Sequence, residues 1–213
     1  TIFIDNLLLP RMVLPLDDRV MVGVTNTLDL WNYRDSDGDG VADEKVKIFE
    51  GGRRGGNMEH QPSGLIWNLD NWIYITYQNV RYRFTDGTFR KEQLPRGGGQ
   101  WGLTSDNEGR VYYSTGGGEN PAFFFQQPPI YGMFDASGQT TPDFRRVYPI
   151  AAVPDVQGGR RRVGSNGGLN AFTGCAGQGI YRGDRLPKEL HGNLFIPEPV
   201  GRLIRRAKVT REN

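Results

Sequence analysis

Gly64-Leu65-Ile66-Trp67-Asn68-Leu69-Asp70-Asn71-Trp72-Ile73-Tyr74 returns without a gap, 38 residues later, as Gly102-Leu103-Thr104-Ser105-Asp106-Asn107-Glu108-Gly109-Arg110-Val111-Tyr112. Each copy reads as a strand opening on Gly-Leu, a polar turn with Asp and Asn or Gly, and a second strand ending in a β-branched residue and Tyr. An earlier relative, Val13-Leu14-Pro15-Leu16-Asp17-Asp18-Arg19-Val20-Met21-Val22, lies about 50 residues upstream. A later one is Gly192-Asn193-Leu194-Phe195-Ile196 followed by Gly201-Arg202-Leu203-Ile204. Strand-turn-strand units repeated about every 40 residues mark a β-propeller, whose blades are small antiparallel sheets packed face to face. The expectation is an all-β chain of four-stranded antiparallel blades. About four blades' worth of sequence fits one domain over residues 1–213, read as a segment of a six-bladed propeller that continues beyond residue 213.

Composition agrees. The chain has 213 residues, of which 30 are Gly and 13 Pro, with 11% aromatics. That balance suits many short strands, tight turns and a buried core. No amphipathic helix stands out, and Pro187-Lys188-Glu189-Leu190-His191 is too short to be one. Thr1 opens on the strand-like Ile2-Phe3-Ile4. The insertions 116–148 and 153–171, rich in Gly, Pro, Gln and Asn, are expected over one end of the fold, where such scaffolds bind ligands.

Asp35-Ser36-Asp37-Gly38-Asp39-Gly40-Val41-Ala42-Asp43-Glu44 puts five carboxylates on one loop. The spacing D-x-D-x-D-G-x-x-D is that of a calcium loop. Asp35, Asp37, Asp39, the Val41 carbonyl and Asp43 would be the ligands, and Gly40 permits the sharp turn. Position 12 is Val46, where such loops carry a bidentate Glu, so Glu44 or water would have to compensate. A weak site follows, with Kd about 10⁻⁴ M. The competing reading is a solvated acidic turn. The flanks, Leu28 and Leu30 before and Lys45-Val46-Lys47-Ile48 after, alternate as strands. The loop therefore joins two strands rather than two helices, and its default role is structural.

With 26 basic and 24 acidic residues the net charge is +2. This is no polyanion-binding signature, and the Arg53-Arg54, Arg160-Arg161-Arg162 and Arg205-Arg206 runs have no stacking face, so no nucleic-acid partner is expected. The single cysteine, Cys175, sits among apolar neighbours and reads as a buried thiol. It forms no internal disulfide, and without C-x-x-C-H these residues do not bind haem. No run of 18 apolar residues spans a membrane.

Leu7-Leu8-Leu9-Pro10-Arg11, the 35–43 loop, Glu59-His60-x-Pro-x-Gly64-Leu-x-Trp67-x-Leu-Asp70-Asn71-Trp72-Ile-Tyr74, Gln100-Trp101-Gly-Leu, Tyr148-Pro149-Ile150, Ile180-Tyr181-Arg-Gly183-Asp-x-Leu-Pro187 and Gly192-Asn193-x-Phe195-x-x-Glu198-Pro199 occur in this order. Together they resemble the β-propeller domain of the membrane-bound dehydrogenase family (PVC-type haem-binding proteins), over nearly the whole chain. The resemblance implies a secreted or periplasmic propeller working beside a cytochrome or other protein subunits. More distantly the chain is similar to the soluble quinoprotein glucose and sorbosone dehydrogenases, six-bladed propellers that oxidise a sugar or alcohol through pyrroloquinoline quinone. In that family an Asp-His pair supplies the general base, and Glu59-His60 stands at the equivalent place. The resemblance thus implies His60 as base with Glu59 beside it. The family's Gly-Arg-Asn quinone loop has its nearest match in Gln78-Asn79-Val80-Arg81. Asn79, Arg81 and Arg83 are accordingly the residues that would meet quinone polar groups, Arg offering its planar fork to carboxylates, with surface ion pairs as the competing reading of the two arginines. Trp67 and Trp72 read either as packing between blades or as a stacking surface for a planar cofactor. A non-catalytic, calcium-pinned binding or assembly module is the alternative.

Overall fold

Alternation of apolar and polar residues, interrupted by Gly, Asn and Asp, gives this chain short strands joined by tight turns. The computed structural model describes residues 1–86, 88–94, 98–114, 117–118, 122–124, 156–157, 160–165, 167–169, 172–173, 175 and 177–208. Most of the two insertions, and Tyr148-Pro149-Ile150 with them, lie outside the described residues. The first sheet is β1 (Pro10–Leu16), β2 (Arg19–Val24), β3 (Leu30–Arg34) and β4 (Glu44–Phe49), hydrogen-bonded in chain order and antiparallel throughout. The second repeats that plan with β5 (Leu65–Trp67), β6 (Ile73–Ile75), β7 (Val80–Thr85) and β8 (Thr88–Gln93). The third comprises β9 (Leu103–Ser105), β10 (Val111–Ser114) and β12 (Ala122–Phe124), while β11 (Gly117–Gly118) pairs with β13 (Phe172–Thr173) in a separate ribbon. The fourth is β14 (Gly179–Ile180), β15 (Leu194–Glu198) and β16 (Leu203–Ala207). Among the described residues the only helical elements are single 3₁₀ turns, so the chain is all-β.

The sequence repeat is a structural one. Leu65 pairs with Ile75 and Ile66 with Tyr74, and 38 residues on Leu103 pairs with Tyr113 and Thr104 with Tyr112. Both turns close alike: Asn71 N–H donates to the Asn68 carbonyl at 2.9 Å, Gly109 N–H to that of Asp106 at 3.1 Å. Both need a left-handed residue, met by Asn71 at φ 60° and Gly109 at φ 80°.

Successive sheets share cores. Met12, Met21 and Leu30 of the first sheet meet Ile73, Ile75, Val80 and Tyr82 of the second. Tyr74 and Leu94 meet Val111 and Tyr113 of the third. Tyr112 meets Cys175, Ile180, Leu194, Ile196 and Ala207 around the fourth. Strand β6 therefore buries Ile73 and Ile75 on one face and Tyr74 on the other, which is why it reads as an unbroken apolar run. The first strands β1, β5, β9 and β14 adjoin one another in that order. Glycine permits this approach: a Cβ on Gly64 would stand 3.1 Å from the Gly102 Cα, and one on Gly102 3.7 Å from the Gly177 Cα.

Two expectations are corrected. Residues 2–4 are not a strand: Phe3 gives its carbonyl to the Ala42 N–H, and left-handed Asn6 and Leu9 break any extended run. The 192–204 hairpin joins the second and third strands of its sheet, not the first two, because the 181–193 segment separates β14 from β15.

Burial sets an alkaline limit. The Tyr82 hydroxyl is pushed up to about 12 by burial, and so is the Cys175 thiol. The unfolded chain releases these protons first, near its ordinary values of about 10 and about 8.5. Their contribution is complete below those values and is lost as pH rises toward 12. Each group whose unfolded form has ionised costs about 1.4 kcal/mol per pH unit. Urea unfolding followed upward from about pH 8 should show this fall, and Tyr82→Phe should flatten its upper part.

Candidate functional site

The loop between β3 and β4 is built by its own carboxylates. Asp35 accepts from the Gly38 N–H at 2.6 Å and the Gly40 N–H at 2.8 Å, Asp37 from Asp39 at 3.2 Å, and Asp39 from Val41 at 2.8 Å. Gly38 and Gly40 take φ of 80° and 89°, which turn the chain back on itself. Asp35, Asp37 and Asp39 bring one oxygen each to within 4.8 Å of one another. Three hard oxygen donors converging in this way are suited to a hard divalent cation. Asp43 is not one of that group; its carboxylate accepts from the Ser36 N–H at 3.0 Å and the Ser36 hydroxyl at 2.7 Å. Glu44 lies 3.6 Å from Arg34, and Val46 is exposed on β4. The Gly40 N–H, then that of Gly38, hold the Asp35 carboxyl below its ordinary range against the cost of burial. The Ser36 hydroxyl does the same for Asp43.

Glu59 and His60 lie on a 3₁₀ turn, Met58–His60, capped by the Asn57 side chain, which accepts from the Glu59 N–H at 3.0 Å. The turn follows β4 and so stands at the opposite end of the first sheet from the 35–43 loop. Its carbonyls are all held. Arg11 donates to Met58, Arg54 to His60 at 2.8 Å, and Tyr77 and Gln100 to Glu59 at 3.5 and 3.4 Å. Both side chains are exposed, and the imidazole lies 6.3 Å from the Tyr77 ring, over which the Arg54 guanidinium stands at 5.7 Å. Arg11 and Gln100 belong to the motifs that carry the resemblance, and Arg54 to a basic run, but nothing in the sequence marks them or Tyr77 as neighbours of His60. They reach the turn from β1, the 50–64 segment and the ends of the second and third sheets, so only the fold could assemble them.

Asn79, Arg81 and Arg83 are held within their own sheet. Asn79 donates to the Leu94 carbonyl at 3.2 Å. Arg81, read as a surface or cofactor-facing group, is 5% exposed. It bonds Glu92 at 2.8 Å and Asp70 at 3.2 Å, and lies over the Trp72 ring at 4.4 Å. Tyr74 donates to the same Asp70 at 2.6 Å, and burial, then Asp70, raises its hydroxyl pKa. Arg83 donates to the Asp70 and Asn71 carbonyls at 2.9 and 3.1 Å and shares the Trp72 ring at 4.5 Å. None of the three makes a hydrogen bond, ion pair or ring contact with Glu59 or His60. Trp72 thus packs beneath two guanidinium groups, while Trp67 is 55% exposed with its indole N–H on Asn71.

These features define an all-β protein of serially packed antiparallel sheets, with an acidic loop at one end of its first sheet and a His-bearing turn at the other. The chain belongs to the family DUF7133, a domain of unknown function whose family model matches residues 1–213. No curated protein matches it. Among the described residues no helix is long and apolar enough to cross a membrane.

Proposed function

We propose that the chain is the propeller part of a secreted or periplasmic dehydrogenase-like protein, with calcium in the 35–43 loop and His60 as base toward a sugar or alcohol. The observation that carries the propeller is the adjoining of β1, β5, β9 and β14 while each sheet packs on the next. Radial blades need that arrangement. The reacting position rests on His60, an exposed imidazole on a turn whose backbone is fixed from four directions. Such a group can take a hydroxyl proton without rearranging its support. Pyrroloquinoline quinone, when bound, would accept the hydride, with electrons leaving to a cytochrome subunit. Arg11 and Arg54, rather than Arg81 and Arg83, are the cations beside His60 suited to quinone carboxylates. The test is reconstitution with the quinone and Ca²⁺, followed by dye reduction across sugars and alcohols.

The commitment of Asn79, Arg81 and Arg83 to their own sheet favours a second reading, a calcium-pinned binding or assembly subunit without catalysis. A reconstituted protein that binds calcium and reduces no dye with any substrate would establish it over the first.

Both readings expect calcium to stabilise the fold. A hundredfold excess of Ca²⁺ over Kd should add about 2.7 kcal/mol, a rise in Tm of about 5–10 °C for a chain of this size. Asp35→Asn should remove that rise. A Tm indifferent to Ca²⁺ and to chelator would return the loop to a solvated acidic turn.

A further inference from the structure

At the end carrying the 35–43 loop, the first and second sheets part into two adjoining clefts of about 220 and 230 Å³. Arg19 and Phe84 form the wall they share, the guanidinium standing 5.9 Å over the ring. Asn32 lines the first cleft from the middle of β3, on the face that two residues earlier buries Leu30 against the second sheet. It is 5% exposed, and neither its amide nitrogen nor its amide oxygen has a hydrogen-bond partner among the described residues. A buried amide with both ends unmet is costly and uncommon, and it marks a place for a ligand or ordered water.

The walls say which ligand. Over the two clefts taken together, Arg19, Arg34 and Lys47 are matched by Asp17, Asp18 and Glu44, although the Asn32 cleft by itself is lined by the three cations and Glu44 alone. Asp18 bonds Arg19 at 2.9 Å and Arg34 at 2.6 Å, and Lys47 bonds Asp29 at 3.1 Å. With each cation beside a carboxylate, the pull on a phosphate or carboxylate is reduced, and the oligogalacturonate arm of the test below measures what remains. Aromatic rings line the clefts at Phe84, one face of which lies under Arg19, and at the exposed Trp67, whose indole is fixed by Asn71 at 2.9 Å. Flat apolar faces beside one group that both donates and accepts suit a ring bearing adjacent hydroxyls, each itself donor and acceptor.

We infer that the double cleft binds a neutral saccharide of two or more units, the Asn32 amide bridging neighbouring hydroxyls and Trp67 and Phe84 lying beneath ring faces. The site stands at the far end of the strands from His60, so it holds a chain without reacting with it and is independent of the quinone reading. The experiment is calorimetric titration of the intact chain, Ca²⁺ present, with neutral cello-, xylo-, manno- and chito-oligosaccharides, and in separate arms oligogalacturonate and adenosine. Saturable binding of a neutral series is expected, weakened about tenfold by Asn32→Leu, the loss expected of one to two hydrogen bonds. The ligand-free Asn32→Leu protein should melt no lower than the parent, because the unmet amide is gone. Trp67→Ala, at an exposed position, should weaken binding severalfold and decides the matter if the Asn32 variant does not fold. No binding by any neutral series, binding unchanged in both variants, or tighter binding of oligogalacturonate or adenosine would overturn the inference.

Discussion

With quinone and Ca²⁺ supplied, the proposed dehydrogenase activity should fall about 10²–10⁴-fold in the His60→Gln variant, the loss expected when a positioned general base is removed. Glutamine keeps much of the size and polarity of the ring but cannot take up a proton at working pH. The fold should not notice: the imidazole is exposed, and Arg11, Arg54, Tyr77 and Gln100 hold the turn through backbone carbonyls that the substitution leaves in place. An unchanged Tm beside the fallen rate therefore separates chemistry from stability. A variant as fast as the parent would remove His60 from the reaction. Arg54→Met should chiefly raise the quinone concentration needed for half-maximal activity.

Arg81→Leu destabilises the protein by about 3–5 kcal/mol, because it leaves a carboxylate buried without its cation. The Arg81 and Asp70 side chains are each 7% exposed, and the guanidinium also holds Glu92 at 2.8 Å. Trp72 and the Tyr74 hydroxyl close the cluster. Asp70→Asn in the Arg81→Leu background should restore part of the loss, since the stranded charge is then gone. Urea unfolding of the two single variants and the double variant measures this coupling. A loss below about 1 kcal/mol for Arg81→Leu would mean that water screens the pair as it does at a surface.

The turns at Asn71 and Gly109 explain why so much of the fold was legible. A repeat that keeps Gly-Leu, a left-handed turn residue and a β-branched residue before Tyr specifies strand, turn and register together, and β5–β6 and β9–β10 follow it. Lys45-Val46-Lys47-Ile48 likewise gave β4, and the acid spacing brought Asp35, Asp37 and Asp39 together. Asp43 lies outside that group, with two donors supplied by Ser36, a residue no motif singles out. Arg81 looked like a surface group because its partners Asp70 and Glu92 are 11 residues away on either side. Only the pairing of β6, β7 and β8 brings them to one spot. Asn32 was unreadable for a different reason: an amide in a strand of alternating pattern gives no sign that its neighbours across the sheet are Met21 and Val46, neither of which can bond it.

Strands β6 and β10 each serve two cores at once, Ile73 and Ile75 on one side of Tyr74, Val111 and Tyr113 on one side of Tyr112. Neither can let go of one neighbour while keeping the other in register, since the same backbone carries both sets of side chains. Injury to a single interface is thus handed along the row. The described sheets behave less like beads on a string than like a spring-loaded stack of plates, in which melting is concerted.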